Sequence, residues 1–296
     1  MQGAIGEPGP EMKGVAAEIA CARFSEEGWA GTSVYVPSEM ELKIYVNQQE
    51  LVTILCTPIK LNYLVFGFLY REEIISGISD VAMINVNKED SLADVRLRNP
   101  EYKLPTLRVL GCSGGTVFKT RGQRVNSDLV AKPSEVLSLM EQLQKKMVLY
   151  RLSGGVHTSA LSDTGKLLVV AEDIGRHNTL DKIQGECMVK EILTRDLLLL
   201  TTGRISSEML LKAAKMQVPV VVSRHSPTKN AILLARDLGI TLVGHARDRN
   251  LLVYSYPERL GRPTDEVQMY CPKPDDTAHK PDEVIESGKR TNGKRT

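Results

Sequence analysis

The sequence predicts an α/β protein: a sheet covered by helices on both faces, preceded by a smaller strand-rich part. Three observations carry this. From Ser153 onward, apolar strand-like runs alternate with helix-like ones, and consecutive β–α–β units bury a sheet between helix layers. Between Glu41 and Leu97, short runs alternate apolar and polar residues around one helix-like segment, the period of half-buried strands. The chain has 296 residues and is 42% hydrophobic; a chain of that length buries about 75% of its unfolded surface and needs no staple to fold.

Residues 1–40 mix Gly, Pro and Glu without a sustained period and are expected to form a loosely structured lead, with a short helix over Gly14–Arg23. Leu42, Ile44 and Val46, then Leu51, Thr53 and Leu55, alternate on either side of Asn47-Gln48-Gln49, which reads as a β-hairpin. Thr57-Pro58 offers an N-cap and an N1 proline to a helix with Leu61, Leu64, Val65 and Phe68 on one face. Val81–Asn87 and Leu92–Leu97 alternate again and complete a small subdomain over residues 41–106. Residues 107–133, rich in glycine around Cys112, read as a flexible loop region. An α/β domain is expected over 134–260.

That domain opens with an amphipathic helix capped at Ser134, carrying Val136, Leu137, Met140, Leu143 and Met147. Strands Val156–Ser162 and Lys166–Ala171 flank the turn Asp163-Thr164-Gly165. A helix follows at Thr179–Lys190, then a buried strand at Asp196–Thr202 and a helix at Ser206–Met216. Val218–Ser223 is a strand and Thr228–Leu238 a helix stopped by Gly239. Strands Ile240–Val243 and Leu251–Tyr256 close the set. Residues 261–296 carry seven basic and seven acidic side chains among few apolar ones and read as a disordered tail.

Composition excludes several classes. The 38 Lys+Arg against 36 Asp+Glu leave a net charge of +2, too small for bulk binding to nucleic acid or a membrane surface. No apolar run approaches the ~18 residues of a membrane span, and residues 1–14 lack the apolar core of a secretory signal. The five cysteines, Cys21, Cys56, Cys112, Cys187 and Cys271, are scattered and odd in number. That pattern suits free thiols in a reducing compartment, the cytoplasm. No C-x-x-C pair exists, so any cysteine chemistry starts from one thiol.

Cys112 lies in Gly111-Cys112-Ser113-Gly114-Gly115, with Lys119, Arg121 and Arg124 following. Small neighbours expose the sulfur and nearby cations favour the thiolate; an inert loop cysteine is the plain alternative. The densest polar constellation is Ser153-Gly154-Gly155-Val156-His157 with Glu172-Asp173-Ile174-Gly175-Arg176-His177-Asn178 and Asp181-Lys182. A helix cap needs one of these residues, not six in succession, so a site is favoured where strand gives way to helix. Thr202-Gly203-Arg204-Ile205-Ser206 and Ser223-Arg224-His225-Ser226 repeat that geometry with hydroxyls, a cation and a helix N-terminus, which suits phosphate oxygens. His245-Ala246-Arg247-Asp248-Arg249-Asn250, between two strands, is either a solvated turn or a further basic contact. A metal hydrolase built on His157, Asp173 and His177 requires those three to converge.

The runs Ser153–Leu161, Glu172–Lys182 and Thr202–Met209 with Lys212-Ala213-Ala214 resemble the FdhD family, the formate dehydrogenase accessory proteins. The resemblance extends over roughly Glu41 to Tyr256. It implies a cytidine-deaminase-like three-layer α/β sandwich with a smaller N-terminal α+β subdomain. It also implies a sulfurtransferase and sulfur carrier that takes sulfane sulfur from a cysteine desulfurase as a persulfide on Cys112. The sulfur passes to the molybdenum of the bis(molybdopterin guanine dinucleotide) cofactor, a bound client that a guanine nucleotide can mimic, for formate dehydrogenase. The family is similar in forming a homodimer. By the same resemblance, His245, Ala246, Arg247, Asp248, Arg249 and Asn250 contact the cofactor, with Arg176, His177, Asn178, Gly203, Arg204 and Ser206 in the anion-binding turns. The chain departs from the family in one respect: Gly115 stands where the loop's second cysteine would be. A cofactor-binding chaperone without sulfur transfer is therefore the rival reading. Deaminase chemistry does not carry over, because the chain has no H-x-E with P-C-x-x-C.

Overall fold

The structure is a computed structural model, and it describes residues 14–104, 109–110, 115–116 and 122–262. The first described segment is a hairpin, β1 (Ala16–Ser25) and β2 (Gly28–Pro37), paired in register from Ala16↔Pro37 to Ser25↔Gly28. This corrects the expected lead and its helix over Gly14–Arg23. Both faces of the ribbon meet solvent along most of its length, so no inside–outside alternation marks it as strand.

Strands β3 (Met40–Val46) and β4 (Gln49–Cys56) form the expected second hairpin. Its turn residues Asn47 and Gln48 have φ of 48° and 69°, the left-handed pair that suits strand twist. Helix α1 (Leu61–Arg71) follows, and β5 (Val81–Asn87) and β6 (Leu92–Leu97) complete a mixed sheet of order β4-β3-β6-β5. Leu42, Ile44, Val46 and Val95 of this sheet bury against Leu64, Val65 and Phe68 of α1. The helix begins at Leu61 with Lys60 at the N-cap, not at Thr57-Pro58. Thr57 is instead engaged by the second subdomain, as described below.

Two-residue strands β7 (Val109–Leu110) and β8 (Gly115–Thr116) pair antiparallel. Cys112, Lys119 and Arg121 lie outside the described residues, as do 1–13 and the expected tail from residue 263 onward. Helix α2 (Pro133–Lys146) starts one residue before the expected Ser134 cap, with Lys132 at the N-cap and its N–H bound by Glu135. The short α3 (Val148–Ser153) follows it.

The main sheet contains β9 (His157–Ser162), β10 (Leu167–Asp173), β11 (Leu198–Thr201), β12 (Val220–Ser223), β13 (Thr241–Arg247) and β14 (Asn250–Ser255), in the order β10-β9-β11-β12-β13-β14. β11, β12 and β13 run parallel and the remaining pairs antiparallel. On one face lie α4 (Arg176–Val189), α5 (Ser207–Lys215) and α6 (Lys229–Leu238). There Leu180, Met209 and Ala235 pack with Leu161, Leu199 and Val221. The other face takes α2, whose Val136, Leu139 and Leu143 meet Ala160, Leu198, Leu200 and Val222. Alternate residues of one strand thus enter opposite cores. Ser206 and Thr228 cap α5 and α6 through Met209 N and Ala231 N, and Gly239 ends α6 at φ 71°.

The two subdomains join where α1 crosses α4. A Cβ at Gly67 would stand 1.8 Å from the Asp181 carbonyl oxygen, and one at Gly185 1.9 Å from that of Tyr63. Backbone therefore packs on backbone, which only glycine permits here. Among the described residues, no helix is long and apolar enough to cross a membrane.

Candidate functional site

The constellation singled out in the sequence is built on Asp173, at the end of β10. Its carboxylate is fully buried and accepts four donors. Oδ2 takes Lys182 Nζ at 2.6 Å and Thr57 N at 3.1 Å. Oδ1 takes Gly175 N and Asn178 Nδ2, each at 2.8 Å. Lys182 is equally buried and donates further to the carbonyls of Thr57 (3.1 Å) and Glu172 (3.2 Å). Ile174 N in turn donates to Thr57 Oγ1 at 3.0 Å. One buried ion pair, saturated with hydrogen bonds, thus fixes the start of α4 against the end of β4. Asp173 has no lone pair to spare for a metal, and among the described residues no group of three His, Cys, Asp or Glu side chains could hold one.

Helix α4 begins at Arg176, three residues earlier than expected. Arg176, His177 and Asn178 therefore form a helical first turn with no acidic residue in it. Gly203 makes room for them, since a Cβ there would lie 3.2 Å from Arg176 Cβ and 3.4 Å from His157 Nδ1.

Two cavities flank His157, the first residue of β9. One, of about 370 Å³, is lined by Tyr150, Gly155, His157, Thr202, Arg224, His225 and Arg247. It sits at the carboxyl ends of the parallel strands, where open α/β sheets bind ligands. The other, of about 290 Å³, is lined by Glu39, Leu55, Phe68, Arg71, His157, Arg176, His177, Asn178 and Asp181, and so lies between the subdomains. His157 is held below the usual histidine range by burial, then by the Arg176 and His225 charges. Its imidazole is consequently neutral at pH 7.

His177 is pushed down to about 3, first by burial and then by Lys212 and Arg176. Its Nδ1 is 3.3 Å from Glu208, but a neutral ring forms no ion pair, and neither ring nitrogen has a hydrogen bond. Its carbonyl accepts from Lys212 Nζ at 2.9 Å. Lys212 also reaches both Asp181 oxygens at 2.9 Å, and burial lowers it to about 8.

The remaining expected site residues are divided. Asn178 spends its amide on the Leu55 carbonyl and Asp173. Ser206 caps α5, Arg204 is exposed, and the Gly203 carbonyl accepts from Ser223 Oγ at 2.7 Å. His245–Asn250 is not one turn. His245, Ala246 and Arg247 belong to β13 and Asn250 to β14, leaving Asp248-Arg249 as a tight turn with φ of 51° and 62°. Ala246 is a core residue, His245 Nε2 meets Ser226 Oγ at 2.7 Å, and Arg247 lines the larger of the two cavities beside His157. Cys112 lies outside the described residues.

Tyr150 and Arg71 are not singled out by the sequence, and Thr57 is marked there only as a helix cap. Tyr150 reaches the larger cavity on α3, whose first N–H groups, Leu149 N and Tyr150 N, donate to buried Glu172 at 2.8 and 3.0 Å. A carboxylate at a helix N-terminus is the one signal that could have been sought there, but the cap comes from 23 residues away along the chain.

Comparison with known proteins agrees with the quoted runs. The FdhD/NarQ family description matches residues 37–261. A protein named sulfur carrier protein FdhD from Bacillus subtilis (strain 168) is 39% identical over 234 residues, 75% of this chain and 89% of the relative. Its namesake from Halalkalibacterium halodurans is 37% identical over 245 residues, covering 79% and 91%. In architecture, the chain is similar to the crystal structure of a Desulfotalea psychrophila protein described as a formate dehydrogenase accessory protein. The TM-score is 0.71 at 24% identity, over 83% of this chain and 99% of that one. A match across three quarters of the sequence, through both subdomains and every element around His157, makes this chain a member of the FdhD/NarQ family.

Proposed function

We propose that the chain is a sulfur carrier serving formate dehydrogenase, with Cys112 as the carrying thiol. The Cys112 thiolate attacks the outer sulfur of a persulfide on a cysteine desulfurase. A new S–S bond forms as the donor's S–S bond breaks, and the donor cysteine leaves as thiolate. The persulfide would then deliver its outer sulfur to the molybdenum of bis(molybdopterin guanine dinucleotide), which is substrate here and not a resident group: the S–S bond breaks, Cys112 leaves as thiolate, and the two electrons that bring the sulfur to the sulfide level come from the substrate's own reduced molybdenum, Mo(IV) becoming Mo(VI).

The observation that carries this reading is the larger cavity. Arg224 and Arg247 supply forked donors suited to phosphate oxygens, and His157 and His225 stand beside them. A pyrophosphate-bearing cofactor requires such local cations, and a net charge of +2 does not oppose them. The names of the Bacillus and Halalkalibacterium relatives support the sulfur-carrying half. The three-layer arrangement, with a hairpin leading into parallel strands, fits a cytidine-deaminase-like ancestry. The free thiols Cys21, Cys56 and Cys187 fit the cytoplasm.

The test is replacement of Cys112 by Ala in cells that depend on this protein for formate dehydrogenase activity. Loss of that activity, with the variant present at normal level, is expected. Retained activity favours the second reading, a cofactor-binding chaperone, which Gly115 in place of a second loop cysteine motivates.

A further inference from the structure

We infer that the cavity of about 290 Å³ between the subdomains receives the C-terminal carboxylate of another protein, whose last residues add a strand to the edge of β4. Two independent observations meet there. The first is a cluster of polar groups without partners. Among the described residues, Arg71 Nε, Arg176 Nε and both ring nitrogens of His177 are buried without a hydrogen bond, and all three side chains line this cavity. Buried polar groups are otherwise paired, so a cluster of them calls for a ligand. His177 is only 9% exposed. Arg176 and His177 also open α4, and the first N–H groups of a helix have no partner within it and favour an anion.

The neighbouring acids do not meet that demand. Lys212 holds both Asp181 oxygens at 2.9 Å. Arg71 Nη2 holds Glu72 at 2.9 Å, while its Nε is 3.7 Å from Asp181 Oδ1. Glu208 stands 3.3 Å from His177 Nδ1 without a hydrogen bond, and Glu39 on the cavity wall is exposed. Among the described residues no ion pair engages Arg176.

The second observation is an open strand edge. β4 is the outermost strand of its sheet. Lys43 N donates to the Ser91 carbonyl at 2.9 Å, on the β6 side of β3. Thr53, paired with Lys43, therefore turns its own N–H and C=O away from β3. Leu55, two residues on, does likewise, and its carbonyl accepts from Asn178 Nδ2 at 2.8 Å. Thr53 N–H, Thr53 C=O and Leu55 N–H thus offer the ladder that an extended peptide pairs with. Thr53, Ile54 and Leu55 line the same cavity as the donors. Asn178 closes the ladder at Leu55, beside the first turn of α4, so a peptide has to end there. Its carboxylate accepts from Arg176, Arg71 and the His177 N–H, and Ile54, Leu55, Phe68 and Ile174 wall an apolar last side chain. A nucleotide fits less well. It brings no backbone to the strand edge, and Arg224 and Arg247 line the larger cavity and not this one.

The probe is a mixture of N-acetylated hexapeptides randomised over their last four residues, made as free acids and as C-terminal amides. On the immobilised full chain, acids ending in an apolar residue should be retained about 10-fold over the amides, the worth of one charge-assisted hydrogen bond. Arg176→Gln should abolish that preference, and Arg247→Ala should leave it unchanged. Thr53→Pro, which removes one outward N–H, should weaken retention about 5-fold without changing the preference for acids. Acids and amides retained alike, or neither retained, would overturn the inference. So would a preference that survives in a normally folded Arg176→Gln protein. N-acetyl-leucine competing as well as the peptides would reduce the cavity to a small-acid site, and displacement by guanosine diphosphate in Arg247→Ala would give it to the cofactor. Either result overturns the inference too. None of these readouts depends on Cys112, so their failure is separate from a failure of sulfur transfer.

Discussion

Lys182 and Asp173 form an ion pair of which neither side chain has any solvent exposure, with Nζ 2.6 Å from Oδ2. Removing one partner of a buried pair leaves an uncompensated charge and costs about 3–5 kcal/mol. Lys182→Met should therefore lower the unfolding free energy read from urea denaturation by that order. Adding Asp173→Leu should not restore stability, because Thr57 N, Gly175 N and Asn178 Nδ2 lose their acceptor as well. Recovery in the double variant would show that the hydrogen bonds around the pair contribute little.

The crossing of α1 and α4 admits no side chain at Gly67 or Gly185. Gly67→Ala should destabilise by about 3 kcal/mol or prevent folding, since backbone and not a flexible side chain must move. Gly165→Ala is the control: its nearest neighbour is the Asp163 carboxylate at 3.6 Å, and a change within about 0.5 kcal/mol is expected. Thermal denaturation of the two variants measures the contrast.

His177 is held at about 3 by burial, against about 6.5 in an unfolded chain. Between those values the unfolded state binds the proton and the folded state does not. Stability from this group is therefore full above pH 6.5 and is lost as pH falls, approaching about 1.4 kcal/mol per pH unit. In His177→Leu, urea denaturation from pH 6.5 toward pH 4 should show a shallower loss than in wild type. Equal slopes would contradict the neutral, buried imidazole.

Much of this arrangement was legible in the sequence, and the exceptions share a cause. The alternation in Leu42–Val46 and Leu92–Leu97 gave strands because alternate residues of each are buried. The β1–β2 ribbon lacks a buried face, so nothing alternates. Helix α4 defeats periodicity in the opposite way, burying Asp181, Lys182 and Glu186 together with its apolar residues. Its start was consequently placed at Thr179, and Arg176–Asn178 read as a turn. Thr57-Pro58 reads as a helix cap, but Thr57 serves a carboxylate 116 residues away, a partner that no local pattern reveals. Cys112 could be selected from its neighbours in the sequence, whereas its surroundings lie outside the described residues.

Arg247 lines the larger cavity while Arg249, two residues on, occupies the exposed turn. Arg247→Ala should weaken binding of guanosine diphosphate about 10-fold, the worth of one charge-assisted hydrogen bond. Arg249→Ala should leave it within about 2-fold. Titration calorimetry at fixed salt distinguishes the two, and equal losses would place the nucleotide at the turn instead of the cavity.

The central claim, that one thiol carries the sulfur, is tested most directly by intact-mass spectrometry after incubation with a cysteine desulfurase and free cysteine. The account predicts a gain of one sulfur atom, reversed by reductant, mapped to Cys112 and absent in Cys112→Ala. A protein whose mass stays unchanged, or whose added sulfur maps to Cys21 or Cys271, would contradict it.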